Sequence, residues 1–328
     1  MAHEIEVRNG KHSTFYVGTT PWHGLGTKLE KAPTSEEGLK AASLDWDVYI
    51  DPLIAPDGTV AETRMVRRVT DKVKLGEVGP VWTPLQNKDA FAWFDPFLKS
   101  GEASLETAGS LFNGRRIWVL AKINKDPCVI VPQVDDKVEK YILLSNGHDG
   151  LVAAKPGFTG IRVVCANTLQ MAHSDKATSK LIRIRHTAKL KINLDQVREV
   201  MNLANQQFEA TAEQYRFLAS KDINSSDLEK YIKVVFKQKD KEEDEEEDVT
   251  LKKRLVKDDD GRKIENKIIP LFESGRGNNL VGVKGTWWAA YNSINSFLNW
   301  VRGRSADARL DALWFGSGAA TDRRALEV

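Results

Sequence analysis

The sequence predicts an α+β fold: an antiparallel sheet (meander) packed against helices, with a charged disordered insert. Three observations carry that reading. Strand-like runs joined by short turn sequences follow one another through the middle of the chain. Apolar residues recur at steps of three and four in later segments. Lys239–Asp260 is low-complexity and strongly charged and has too little apolar surface to order itself.

The elements follow in order. Thr34-Ser35-Glu36-Glu37 sets a Thr three residues before a Glu, a capping box that opens a helix as far as Ala42. Asp47–Ile54 and Thr63–Val69 read as strands. Asn87 is placed to cap a helix from Lys88, and Pro96 to kink or end it. Ser104–Leu111 and Arg115–Ile123 flank Asn113-Gly114, a pair that tolerates positive φ and marks a tight hairpin. Tyr141–Ser145 is a third strand. The turn sequence Asn146–Gly150 leads to a fourth, Leu151–Lys155, expected beside the third.

Ile161–Ala172 has apolar residues at roughly helical spacing, and Leu181–Thr187 reads as a strand. Leu194–Ala219 is the most regular helical stripe, through Val197, Met201, Ala204, Phe208, Tyr215 and Leu218. Ser226 with Glu229 suggests a capping box for a helix ending at Phe236. Thr286 caps a last helix whose stripe is Trp287, Tyr291, Ile294, Leu298 and Val301. The expected organisation is an N-terminal α+β region over 1–100, a central sheet with long helices over 101–238, the acidic insert over 239–265 and a helical region over 266–328.

Composition narrows the function classes. An apolar fraction of 41% supports a packed core. No run approaches the ~18–20 apolar residues of a membrane span, and the opening MAHEIEVRNGKH has no apolar stretch of signal-peptide type. The expectation is a cytoplasmic protein with no membrane partner. The two cysteines, Cys128 and Cys165, lie in apolar runs and read as core side chains. Of nine tryptophans most read as core, with Trp22 in a turn-rich string the expected exposed one.

The usual catalytic spacings are missing. There is no P-loop, no Gly-x-Gly-x-x-Gly, no His-Glu-x-x-His and no Gly-x-Ser-x-Gly elbow. No catalytic residue, metal site or cofactor is therefore expected. His148 beside Asp149 has the chemistry of a general base or metal ligand, with His23, His173 and His186 as further donors. The plainer reading is a hairpin turn with polar residues in it.

Charge is more informative. The nine residues Asp240–Asp248 hold a net of −7, which leaves +9 for the rest of a chain whose total is +2. From Lys155 to Lys191 there are eight basic residues and one acid, Asp175. Lys155, Arg162, Lys180, Arg183, Arg185, Lys189 and Lys191 belong to this segment, and Arg115 and Arg116 start a neighbouring strand. Strand alternation turns Arg183 and Arg185 to one face and Ile182 and Ile184 to the other. Guanidinium forks match phosphate geometry, so these nine cations are the expected nucleic-acid contacts. In the competing reading they only solvate a sheet face.

Several strings stand together: Pro21–Gly26, Gln86-Asn87, Thr107–Leu111, His148-Asp149-Gly150, Arg162–Leu169, Arg185-His186-Thr187 and Phe315–Ala320. In order and spacing they resemble the phage/plasmid-like protein family catalogued as domain of unknown function 932, over nearly the whole chain. The resemblance implies a phage, plasmid or prophage protein made in a bacterial host cell, with no established catalytic residues to carry over. The leading expectation is a non-enzymatic nucleic-acid-binding protein that acts in single-strand DNA annealing or recombination, as a homo-oligomer. The alternatives are a regulatory protein that meets a host protein through its acidic insert, and a metal-dependent nuclease around His148 and Asp149.

Overall fold

The strands are β1 (Val7–Arg8), β2 (Lys11–His12), β3 (Thr14–Val17), β4 (Thr27–Leu29), β5 (Val48–Ile54), β6 (Val60–Arg68), β7 (Lys74–Val78), β8 (Ala103–Leu111), β9 (Arg116–Ile123), β10 (Cys128–Val131), β11 (Asp136–Gly147), β12 (Lys155–Arg162) and β13 (Asn167–Leu169). The helices are α1 (Ser35–Ala41), α2 (Asn87–Ala92), α3 (Asp95–Lys99), α4 (Phe208–Ala219), α5 (Ser225–Val235), α6 (Glu265–Ser274), α7 (Trp287–Ser296) and α8 (Ser317–Glu327). These come from a computed structural model that describes residues 5–8, 10–18, 25–162, 167–169, 183–196, 208–236, 264–303, 309, 312–313 and 317–328. The charged segment 239–260 lies outside the described residues.

The chain divides into two compact units. Unit 1 takes Met1–Asp126, Lys140–Phe158 and Asp175–Gln206; unit 2 takes Pro127–Glu139, Thr159–Ser174 and Gln207–Val328. The main sheet runs in the order β13–β12–β11–β9–β8–β3–β4, with β10 also on β11. Strands β11 and β12 contribute residues to both units. Pairs β8–β9 and β9–β11 are antiparallel, as a meander requires, while β3–β4 is parallel. A second sheet, β5–β6–β7, is antiparallel throughout.

Local chemistry accounts for much of unit 1. Thr34 and Glu37 form the expected capping box on α1. Phe112, Asn113 and Gly114 all have positive φ, at 55, 56 and 85°. The hairpin is wider than two residues, because the ladder closes at Leu111↔Arg116. Gly109 sits opposite Trp118 in that ladder, and a Cβ there would stand 2.6 Å from the indole. The core of unit 1 includes Phe15, Leu44, Val66, Phe91, Phe94 and Val119, all 0–1% exposed. Each such side chain contributes about 1.5–3 kcal/mol through burial.

Unit 2 packs helices around aromatic side chains. Thr286 caps α7 by accepting from the Ala289 N–H at 3.2 Å. Trp288 and Tyr291 of α7 and Tyr215 of α4 form a buried cluster with ring centroids 4.9–5.9 Å apart. Trp288 Nε1 donates to Asp136 at 2.8 Å, and the Tyr291 hydroxyl to Asp322 at 2.9 Å. Burial and nearby Asp322 keep both tyrosine hydroxyls protonated, with their pKa values raised. The burial of α7 extends to Asn292, Ser293 and Asn295, polar residues whose amides or hydroxyl bond back to the preceding turn.

Four expectations are corrected. Residues 161–162 and 167–169 are strand, not helix: a short β-branched apolar run fits either period, and pairing of Ile161 with Thr168 decides it. The fourth strand begins at Lys155 rather than ending there. Asn224, not Ser226, caps α5, accepting from the Asp227 N–H at 2.9 Å. Gln86 holds the cap position of α2, because the Asn87 amide is used elsewhere. The helix expected at 194–219 is described only at 190–196 and in α4.

Candidate nucleic-acid interface

The basic segment enters unit 1 through one backbone link. Ala154 and Ile184 form an isolated antiparallel bridge, exchanging bonds of 3.1 and 2.9 Å. Ile184 is 4% exposed and joins the core. Alternation then turns its neighbours outward, and Arg183 and Arg185 are exposed, as their spacing predicts. Of the strand expected over Leu181–Thr187, the described residues keep only this isolated bridge at Ile184, because neighbouring residues bend away instead of extending the pairing. Lys189 is exposed one turn later, while Leu190 and Leu194 bury the other side of the helical turn at 190–196. Among the described residues, Arg183, Arg185 and Lys189 make no ion pair.

The remaining cations fare differently. Arg115 is exposed in the β8–β9 turn. Arg116 is not offered to solvent: its side chain is 17% exposed, its Nε lies 3.0 Å from Asp149 and its guanidinium covers the Phe112 ring. Lys191 pairs with Asp89 at 2.9 Å, an exposed contact of small energy that adds a negative charge to the surface. Lys155 is half-buried and already has a partner. Lys180 lies outside the described residues, as does the side chain of Arg162, which ends β12.

Beneath this surface is a buried polar network built from the recognisable strings. His148 is 0% exposed, not a residue of an exposed turn. Its Nε2 lies 2.9 Å from Asn87 Oδ1. Asn87 uses its own amide N–H on the Leu44 carbonyl at 3.0 Å, so Nε2 of His148 carries the proton. Gln86 meets the Val48 N–H and C=O, both at 2.8 Å. His186 donates Nδ1–H to the Thr83 carbonyl at 3.0 Å and stacks on Trp82, centroids 4.8 Å apart.

Burial, with the positive charges of His186 and Arg68 nearby, pushes His148 down to about 3. Burial also lowers His186, against the pull of the Thr83 carbonyl and Asp149. Asp149 accepts from Arg116 and from the Leu151 N–H at 2.9 Å. Its backbone abuts β7: a Cβ on Gly76 would stand 2.5 Å from Asp149 Cα and O. Gly76→Ala should therefore cost about 1–3 kcal/mol through overpacking, read as a lowered urea midpoint.

Next to this network lies an ion pair with no local sequence signal. Arg68 Nη1 is 2.5 Å from Glu6 Oε1, with side chains 1% and 3% exposed. Arg68 donates to the Asn113 carbonyl at 2.6 Å and covers the Trp46 ring at 4.6 Å. Ser110 donates to Glu6 at 2.8 Å. The partners are 62 positions apart, so only the fold reveals them.

Among the described residues, no three His, Cys, Asp or Glu side chains gather to hold a metal, and no helix is long and apolar enough to cross a membrane. His23 and His173 lie outside the described residues. A family model described as "Domain of unknown function (DUF932)" matches residues 74–314. No curated protein and no solved structure matches the chain.

Proposed function

The chain belongs to the family of domain of unknown function 932, and we propose that it is a non-enzymatic nucleic-acid-binding protein of a phage or plasmid, acting on single-stranded DNA in annealing or recombination. The observation that carries the reading is Arg183 and Arg185, both exposed on either side of buried Ile184, with Lys189 exposed nearby. Two exposed guanidiniums flanking a core-anchored residue suit phosphate contacts. The acids that would ordinarily intersperse are few in this segment. The buried state of His148 favours a structural role for the His148-Asp149 pair.

Fluorescence anisotropy with labelled single strands tests this. Binding should weaken steeply as salt rises. Replacing Arg183, Arg185 and Lys189 with alanine should flatten the log–log salt slope by roughly 2–3, the loss of three phosphate contacts. Absence of binding at low salt would overturn the reading.

A further inference from the structure

Unit 2 contains a cavity of about 360 Å³ between α4, α5, α7 and α8, within the size range of organic-ligand sites. Its floor is aromatic. Tyr231 and Trp287 meet edge to face, centroids 5.3 Å apart. The Tyr231 hydroxyl donates to the Ala325 carbonyl at 2.6 Å, and the Tyr291 hydroxyl is taken by Asp322. Both hydroxyls are used internally, so the tyrosines bring ring carbon rather than free polar groups to the floor. Phe217 stands at the mouth, 60% exposed although large and apolar.

Two charges complete the lining, Lys221 and Asp222. Both are exposed, and among the described residues neither is ion-paired. The Lys221 ammonium lies 5.4 Å from the centre of the Phe217 ring. Their backbone is fixed: the Trp287 N–H donates to the Lys221 carbonyl and the Ile223 N–H to the Gly285 carbonyl, both at 2.9 Å. A cation and an anion are thus presented on a tied backbone beside aromatic walls.

We propose that this cavity binds an unpaired nucleobase with its phosphate. The base stacks on Phe217 and Trp287, its N–H edge donates to Asp222, and the phosphate meets Lys221. Charge complementarity selects this occupant, because a nucleotide carries a flat ring, a donor edge and an anion together. The inference rests on the nucleic-acid reading and extends it to a second unit.

The test uses the full chain with labelled single strands and duplex of equal length, and free L-tryptophan by calorimetry. Phe217→Ala and Lys221→Ala, both at exposed positions, should weaken single-strand binding roughly tenfold while changing duplex binding by less than about twofold. Asp222→Asn should weaken strands of cytosine or adenine more than an abasic strand. Unchanged single-strand affinity in all three variants would overturn the pocket and leave the Arg183–Arg185 reading standing. Failure to bind either form at low salt would overturn both. Uptake of tryptophan with no loss of strand affinity in the variants would assign the cavity to a zwitterionic aromatic amino acid instead.

Discussion

Arg68→Met is expected to remove about 3–5 kcal/mol of stability, because it strands a carboxylate away from water. Glu6 is 3% exposed, and without Arg68 its described side-chain partner is the Ser110 hydroxyl. The guanidinium also serves the Asn113 carbonyl, Asp71 at 3.5 Å and the Trp46 face. Its contact with Glu6 is an ion pair by distance, whereas the well-aligned hydrogen bond goes to Asn113. Glu6→Gln alone should cost less, since the Arg68 charge keeps Asp71 and the Asn113 carbonyl as partners. The double variant Glu6→Gln/Arg68→Met should cost less than the two singles added, the signature of direct coupling. Urea unfolding of the four proteins measures this. A loss below about 1 kcal/mol for Arg68→Met would mean the pair is held by its surroundings rather than holding them.

Acidification should destabilise the protein well before its carboxylates titrate. His148 is neutral in the folded chain down to about 3, whereas an unfolded histidine takes up a proton near its ordinary value of 6.5. Unfolding therefore binds a proton between those limits. Stability from this site is fully present above roughly pH 6.5 and falls as pH drops, by up to about tenfold in the folding constant per pH unit. His186, also lowered, steepens the decline. Urea midpoints from pH 7.5 to 5 should show the slope in the parent and a flatter one in His148→Gln. A midpoint that stays level or rises on acidification would contradict the buried neutral imidazole.

What could be read from the chain was local. Thr34 and Thr286 cap helices because their hydroxyls reach N–H groups three residues on, a relation visible in any window of four. Asn113-Gly114 signals its positive φ for the same reason. The alternation of Arg183, Ile184 and Arg185 was legible because strand period is two. Burial of His148 was not: Asn146–Gly150 has the composition of an exposed turn, and only the arrival of Asn87 and Trp46 encloses it. Arg116 has the chemistry of a phosphate ligand in the sequence, but Asp149, 33 positions on, takes its guanidinium. The aromatic cavity draws its walls from four helices between Phe217 and Val328, so no single stretch advertised it.

The interleaving of the two units bears on how the protein is made. Unit 1 needs residues as late as Gln206, and unit 2 needs residues as early as Pro127. As the chain leaves the ribosome, the first 126 residues emerge without the strands that complete their sheet. Neither unit can finish before part of its neighbour has been synthesised. No single cut separates the two units, and a truncated gene product ending near residue 150 should be captured by chaperones or degraded rather than accumulate.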